Sequence, residues 1–222
     1  MKRLIIICEG ETEQEFCSML LTPYLRSKRG YVLVQTPRIK RSGGGLLTWE
    51  RLKKEIETYL RETDVVVTSL LDFYGIGPSL HFPLWKEADR ITEKNQRLDF
   101  LEGAMKEDID ERLQNNFIPY LQLHEFEGLL FNNIEVFETQ FSPKELIGRR
   151  ELIEVLEQYD NPEMINDGPN THPSQRLERI IDGYAKVVYG NILAEAIGIE
   201  RIRSKSPRFN QWIEKIETAC AS

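Results

Sequence analysis

Two stretches of the chain constrain its fold more than any others: LIIIC at 4–8 and VVVTSLLD at 65–72. Each is mostly apolar and branched at Cβ, and each delivers the chain to an acid, Glu9 or Asp72, with glycine close behind at Gly10 or Gly75. A strand that faces water on one side alternates polar with apolar residues. A near-continuous apolar run instead suits a strand buried on both faces, as in a parallel sheet. A third run, FIPYLQLHEFEGLLF at 117–131, predicts another buried strand, which ends in Glu125 and Glu127.

Helical patterns separate these runs. Thr12 and Glu15 have the spacing of a capping box, which predicts a helix from Glu13 to about Ser27. YVLVQT (31–36) reads as a strand and TWERLKKEIETYLR (48–61) as an amphipathic helix. Further helices are expected near 85–95, 98–115, 143–160, 175–189, 190–198 and 207–219, with a loop of turn-formers at 161–175. Strands alternating with helices predict an α/β fold: a mostly parallel central sheet flanked by helices, with extra helices at the C-terminal end. No repeat, linker or low-complexity segment divides the sequence. One domain over 1–222 is expected, helical from about 143 onward.

In open parallel sheets, ligands bind at the carboxyl ends of the strands. Glu9, Asp72, Glu125 and Glu127 would gather there, the last two on one face if their strand continues that far. Four uncompensated carboxylates repel, and a divalent cation relieves the conflict. Oxygen-only ligands suit Mg²⁺ or Mn²⁺, and Mg²⁺ completes its shell with water and substrate phosphates. The chemistry this points to is phosphate-ester hydrolysis. Each acid also has a structural reading: Glu11, Glu13 and Glu15 as helix N-terminal acids, Asp72 as a turn cap, Glu125 and Glu127 as strand-end residues paired with lysines.

The net charge of −7 argues against coating nucleic acid by charge alone, yet it conceals an asymmetry. Residues 26–54 hold nine Lys or Arg against one Glu. Arg38, Lys40 and Arg41, beside Gly43–Gly45, are candidates to follow a nucleic-acid backbone, with Arg176 a further phosphate contact. Lys186 could neutralise charge on a scissile phosphate. His124 is expected in a core or supporting role and His172 in a loop. No GxxxxGK[ST] occurs, so P-loop chemistry is excluded. No apolar stretch is long enough to span a membrane, and cysteines at 8, 17 and 220 lack metal-ligand spacing. A cytoplasmic protein with reduced thiols is expected.

EGETE at 9–13, followed by a strand ending in Asp72, resembles the Toprim domain of topoisomerases, primases and overcoming-lysogenization-defect nucleases. The finer similarity is to a bacterial Toprim-like family, domain of unknown function 4276. It is carried by CEGETEQEF (8–16), LLDFYGIG (70–77), FIPYLQLHEFEGLLF (117–131), PSQRLERIIDGYAK (173–186) and SPRFNQWIEKI (206–216). The resemblance implies a Toprim/Rossmann-like three-layer fold and a Mg²⁺-dependent nuclease. It also implies an ATPase partner in a phage-defence, abortive-infection setting. Carried over by position, Glu9 would be the catalytic glutamate and Asp72 a metal ligand. One departure stands out: the usual Asp-x-Asp is here DFY, with Tyr74 in place of the second acid. Either Glu125 or Glu127 replaces that ligand, or the site is weakened and the protein is a non-catalytic regulator on a Toprim-like scaffold.

Overall fold

The computed structural model describes residues 2–29, 33–39, 48–166, 168 and 170–221. Its first half contains β1 (Arg3–Cys8), α1 (Glu11–Phe16), a π-helical turn (Cys17–Leu21), α2 (Thr22–Arg29), β2 (Leu33–Gln35), α3 (Trp49–Leu60), β3 (Val65–Asp72), α4 (Trp85–Ala88) and α5 (Lys94–Asp108). The second half adds two short strands, β4 (Phe117–Ile118) and β5 (Leu121–Gln122). Six helices follow: α6 (Ile134–Gln140), α7 (Arg149–Gln158), α8 (Pro173–Ile180), α9 (Lys186–Ile197), α10 (Ile199–Lys205) and α11 (Pro207–Ala221).

Every strand pairing is parallel, in the order β2-β1-β3-β4, with β5 also on β3. The longest register, Arg3↔Val65 through Cys8↔Leu70, joins the two runs that the sequence marks as buried on both faces. Their side chains divide as strand pleating requires. Leu4, Ile6, Cys8, Val66 and Leu70 enter the core shared with α1, α9 and α11. Ile5, Ile7, Val65, Val67 and Leu71 enter the core beneath α3 and α5. Helices therefore cover both faces, giving the three layers expected.

Several local expectations change. The first helix starts at Glu11, not Glu13, because Gly10 is the N-cap and Glu13 Oε2 accepts the Gly10 N–H (2.9 Å). The capping pair is thus Gly10 with Glu13, in place of Thr12 with Glu15. The helix expected over 175–189 is two helices, parted by a turn in which Gly183 takes a positive φ of 69°. The strand expected over 117–131 is shorter and broken. Pro119 has no N–H to give the ladder, and Ser69 Oγ fills the gap by accepting from Tyr120 N–H and donating to Tyr120 O, both at 3.0 Å. After Gln122 the chain leaves the sheet, and Phe126–Leu130 forms a 3₁₀ turn closed by the Gly128 N–H on Glu125 O (2.9 Å). The alternation placing Glu125 and Glu127 on one strand face does not apply. Among the described residues, no helix is long and apolar enough to cross a membrane.

Candidate active site

The strand order reverses between β1 and β3: β1 leads to β2 on one side, while β3 lies on the other. A crevice opens at the carboxyl ends of two strands at such a switch point. Glu9 leaves β1 there and Asp72 ends β3 there. The Asp72 N–H donates to Glu9 Oε2 (3.0 Å), which fixes the first carboxylate against the end of the second strand. The turn after Asp72 then folds over Glu9. An atom at the Cβ position of Gly75 would lie 3.5 Å from both Glu9 carboxylate oxygens.

Three further elements close the crevice. Helix α1 brings Gly10, Glu11, Thr12 and Glu13; α9 begins with Lys186 and Val187; Arg38 comes from the segment after β2. Together with Glu9 and Asp72 they line a cavity of about 620 Å³. Behind Lys186 lies Glu127, fully buried in the 3₁₀ turn, with its Oε1 3.0 Å from Lys186 Nζ. Glu127 Oε2 has no hydrogen-bond partner among the described residues.

The electrostatics follow from this crowding. Burial raises the Asp72 carboxyl well above its ordinary range, Glu13 and Glu9 push it further in the same direction, and Lys186 opposes them. Burial likewise lifts Glu127, to about 7, against the pull of Lys186. Burial would depress the Lys186 ammonium, but Glu127 and Asp72 outweigh it and hold the group above the usual lysine value. Lys186 therefore stands among Glu9, Glu13, Asp72 and Glu127, and it stays charged.

Glu9, Asp72, Glu127 and Lys186 are thus neighbours, as expected. Glu125 lies close enough to act on Glu127 and Lys186, but its Oε2 accepts the Ser174 N–H (2.8 Å) at the start of α8, so one of its oxygens serves a helix terminus. Glu13 takes the remaining place, and the sequence signal for it was the Gly-x-x-Glu spacing from Gly10. Arg176 is buried, donating from Nε to Thr171 O (3.1 Å) and lying 3.9 Å from Glu151, so it is not a surface contact for phosphate. Arg38 does reach the crevice mouth, where it faces Glu11 at 3.7 Å. Lys40, Arg41 and Gly43–Gly45 lie outside the described residues. His124 is buried and His172 is part-exposed in the loop before α8. The ring of Tyr74 meets both.

Among the described residues, no three Asp, Glu, His or Cys side chains are grouped so as to enclose a metal ion. The donors present nevertheless fit a more open site. They are hard carboxylate oxygens in mutual repulsion, with one buried oxygen of Glu127 left without a partner. Such a set suits a Mg²⁺- or Mn²⁺-sized cation resting on Glu9 and Asp72 and otherwise on water and substrate.

Comparison with known families matches residues 8–217 to the family described as domain of unknown function (DUF4276). No curated protein and no solved structure matches.

Proposed function

The chain belongs to the DUF4276 family, and from that premise we propose that it is a Toprim-like phosphodiesterase, a nuclease dependent on Mg²⁺ or Mn²⁺. The observation that carries this reading is the switch-point crevice. Carboxylates from β1, β3 and α1 repel one another there, opposite a lysine that is held charged. A structural site would neutralise such a cluster; this one keeps it open to a cavity. Glu9 and Asp72 are the residues that would hold the cation, which when bound supplies Lewis-acid polarisation of a phosphoryl oxygen.

The protein's own groups account for the remaining requirements. Glu9 is fixed in orientation by the Asp72 N–H, so its carboxylate meets an incoming phosphodiester without reorganising. Lys186 Nζ, steered by Glu127 at 3.0 Å, offers positive charge to the phosphate as charge builds on it. Arg38 at the mouth can trade Glu11 for a flanking phosphate, because an exposed pair at 3.7 Å is weak. The ATPase partner and the phage-defence setting rest on the resemblance to Toprim-like nucleases and are part of this proposal.

One observation favours a second reading. Tyr74 stands where the resemblance places another acid, so the chain could be a regulator whose cation site has decayed. Calorimetry with Mn²⁺ separates the two. The nuclease reading expects binding by the intact protein and its loss in both Glu9→Gln and Asp72→Asn, with metal-dependent cleavage of nucleic acid to follow. An intact protein that takes up no Mn²⁺ sinks the nuclease and leaves the regulator.

A further inference from the structure

The 3₁₀ turn after β3 sends three consecutive residues in three directions. Phe73 goes inward, its ring 5.7 Å from that of Trp85. Gly75 passes over the Glu9 carboxylate. Tyr74 goes outward between them, 51% exposed, two residues beyond Asp72. An exposed tyrosine on a turn is ordinarily free to change rotamer. This one is braced: its ring lies 4.9 Å from that of buried His124 at 38°, and 5.6 Å from that of His172 at 89°. The brace is itself anchored. His172 Nδ1 is 3.0 Å from Nδ2 of buried Asn166, whose Oδ1 accepts from Thr171 Oγ1 at 2.9 Å. The turn that passes over Glu9 therefore carries a half-exposed aromatic ring in a fixed pose.

We infer that Tyr74 is a stacking platform for an unpaired base next to the scissile phosphate, so that the crevice takes single-stranded nucleic acid. The inference rests on the nuclease reading and adds a substrate class to it. A phenol can give a phosphate one hydrogen bond from its O–H but no charge. Its larger offer is a π-face, and single-strand binders use such faces because every base can stack on them whatever its identity. In an intact duplex the bases already stack on one another, so the platform would find no partner. His124 and His172 are positioning residues: they hold the ring and do not touch the base.

The test compares a phosphorothioate-linked oligothymidylate, which resists cleavage, with an abasic oligomer of equal phosphate number, by fluorescence anisotropy in Mg²⁺. The intact protein should prefer the oligomer that carries bases. Tyr74→Ala should lose about five- to 150-fold in affinity for it, the worth of one base–aromatic stack, and bind both oligomers alike. Tyr74→Phe should keep the preference, since it retains the ring. Equal binding of both oligomers by the intact protein, or unchanged affinity in a folded Tyr74→Ala, overturns the platform while the nuclease reading stands. Failure to bind either oligomer overturns both. The abasic comparison uses the unaltered protein, so it decides the question even if Tyr74→Ala does not fold.

Discussion

The molecule buries acids in two places and treats them in opposite ways. Where α11 meets α5 and the loop before α8, burial again raises Glu102 and Glu163, but the strongest influences beside it, led by Arg208, oppose the rise. Glu102 Oε1 accepts from the Leu121 N–H (2.9 Å) and from Arg208 Nη2 (2.7 Å). Glu163 receives the first free N–H groups of α11, those of Arg208 (2.9 Å) and Phe209 (3.0 Å). Asp99 completes the cluster on Arg208 Nη1. At the crevice, by contrast, Asp72 is raised by burial and then raised again by Glu13, Glu9 and Glu127, with Lys186 opposing them. Acids placed for stability are given donors. On the proposed reading, the conflict at Asp72 is left for a bound cation to resolve.

The largest expected effect breaks the compensated region. Arg208→Met would keep most of the packing of the arginine stem and remove its charge, leaving Glu102 buried beside a vacated ion pair. Removal of one partner from a buried pair costs about 3–5 kcal/mol, to be read as a loss of urea stability. A loss within a few tenths of a kcal/mol of that from an ordinary surface substitution would mean that the junction is no better compensated than the crevice.

A smaller effect distinguishes the two regions by pH. Glu127 has its folded pKa raised from the ordinary 4.5 to about 7. Between those values the folded state holds a proton that the unfolded state has released. Stability must therefore fall as pH rises through this window, and level off above it. For one group the full change is about 3 kcal/mol. Urea unfolding at both ends of the window should show this slope in the intact protein and a flatter one in Glu127→Gln. Parallel profiles would place the crowding elsewhere than at Glu127.

The same contrast explains what could be read in the sequence. The sheet was legible because LIIIC and VVVTSLLD carry their burial in their own composition, and the acids that end them mark the crevice without any knowledge of partners. Lys186 and Glu127 lie beside Asp72 and Glu9. Arg176 does not, because it is claimed by Thr171 O, and Glu125, though it acts on Glu127 and Lys186, has one oxygen taken by the Ser174 N–H; both partners come from a loop whose path the local pattern does not encode. The alternation rule failed at Glu127 for a related reason. It assumes that the strand continues, and the chain turns out of the sheet after Gln122. Glu13 was hidden by its company, one acid among four in CEGETEQEF, until the Gly10 N–H singled it out. Tyr74 looked like a missing ligand; its packing against the rings of His124 and His172 comes from segments far away in the chain and was not legible there.

The smallest effect has the most telling sign. Asp72→Asn keeps the shape of the side chain and the backbone N–H that holds Glu9, and removes one negative charge from the midst of Glu9, Glu13 and Glu127. A buried acid with real partners loses stability when it is made neutral, because its donors are left facing an amide. Asp72 has carboxylates for most of its charged neighbours, so the substitution should raise urea stability near neutral pH, the direction that its raised carboxyl implies. The gain should shrink as pH falls, since the native carboxyl takes up a proton there and the difference between the two side chains disappears. It should shrink also on adding Mn²⁺, which stabilises the intact protein by binding and leaves Asp72→Asn unchanged. A stability loss in Asp72→Asn comparable to that from neutralising Glu102 would place Asp72 with the structural acids and remove the crevice's claim to be a reaction centre.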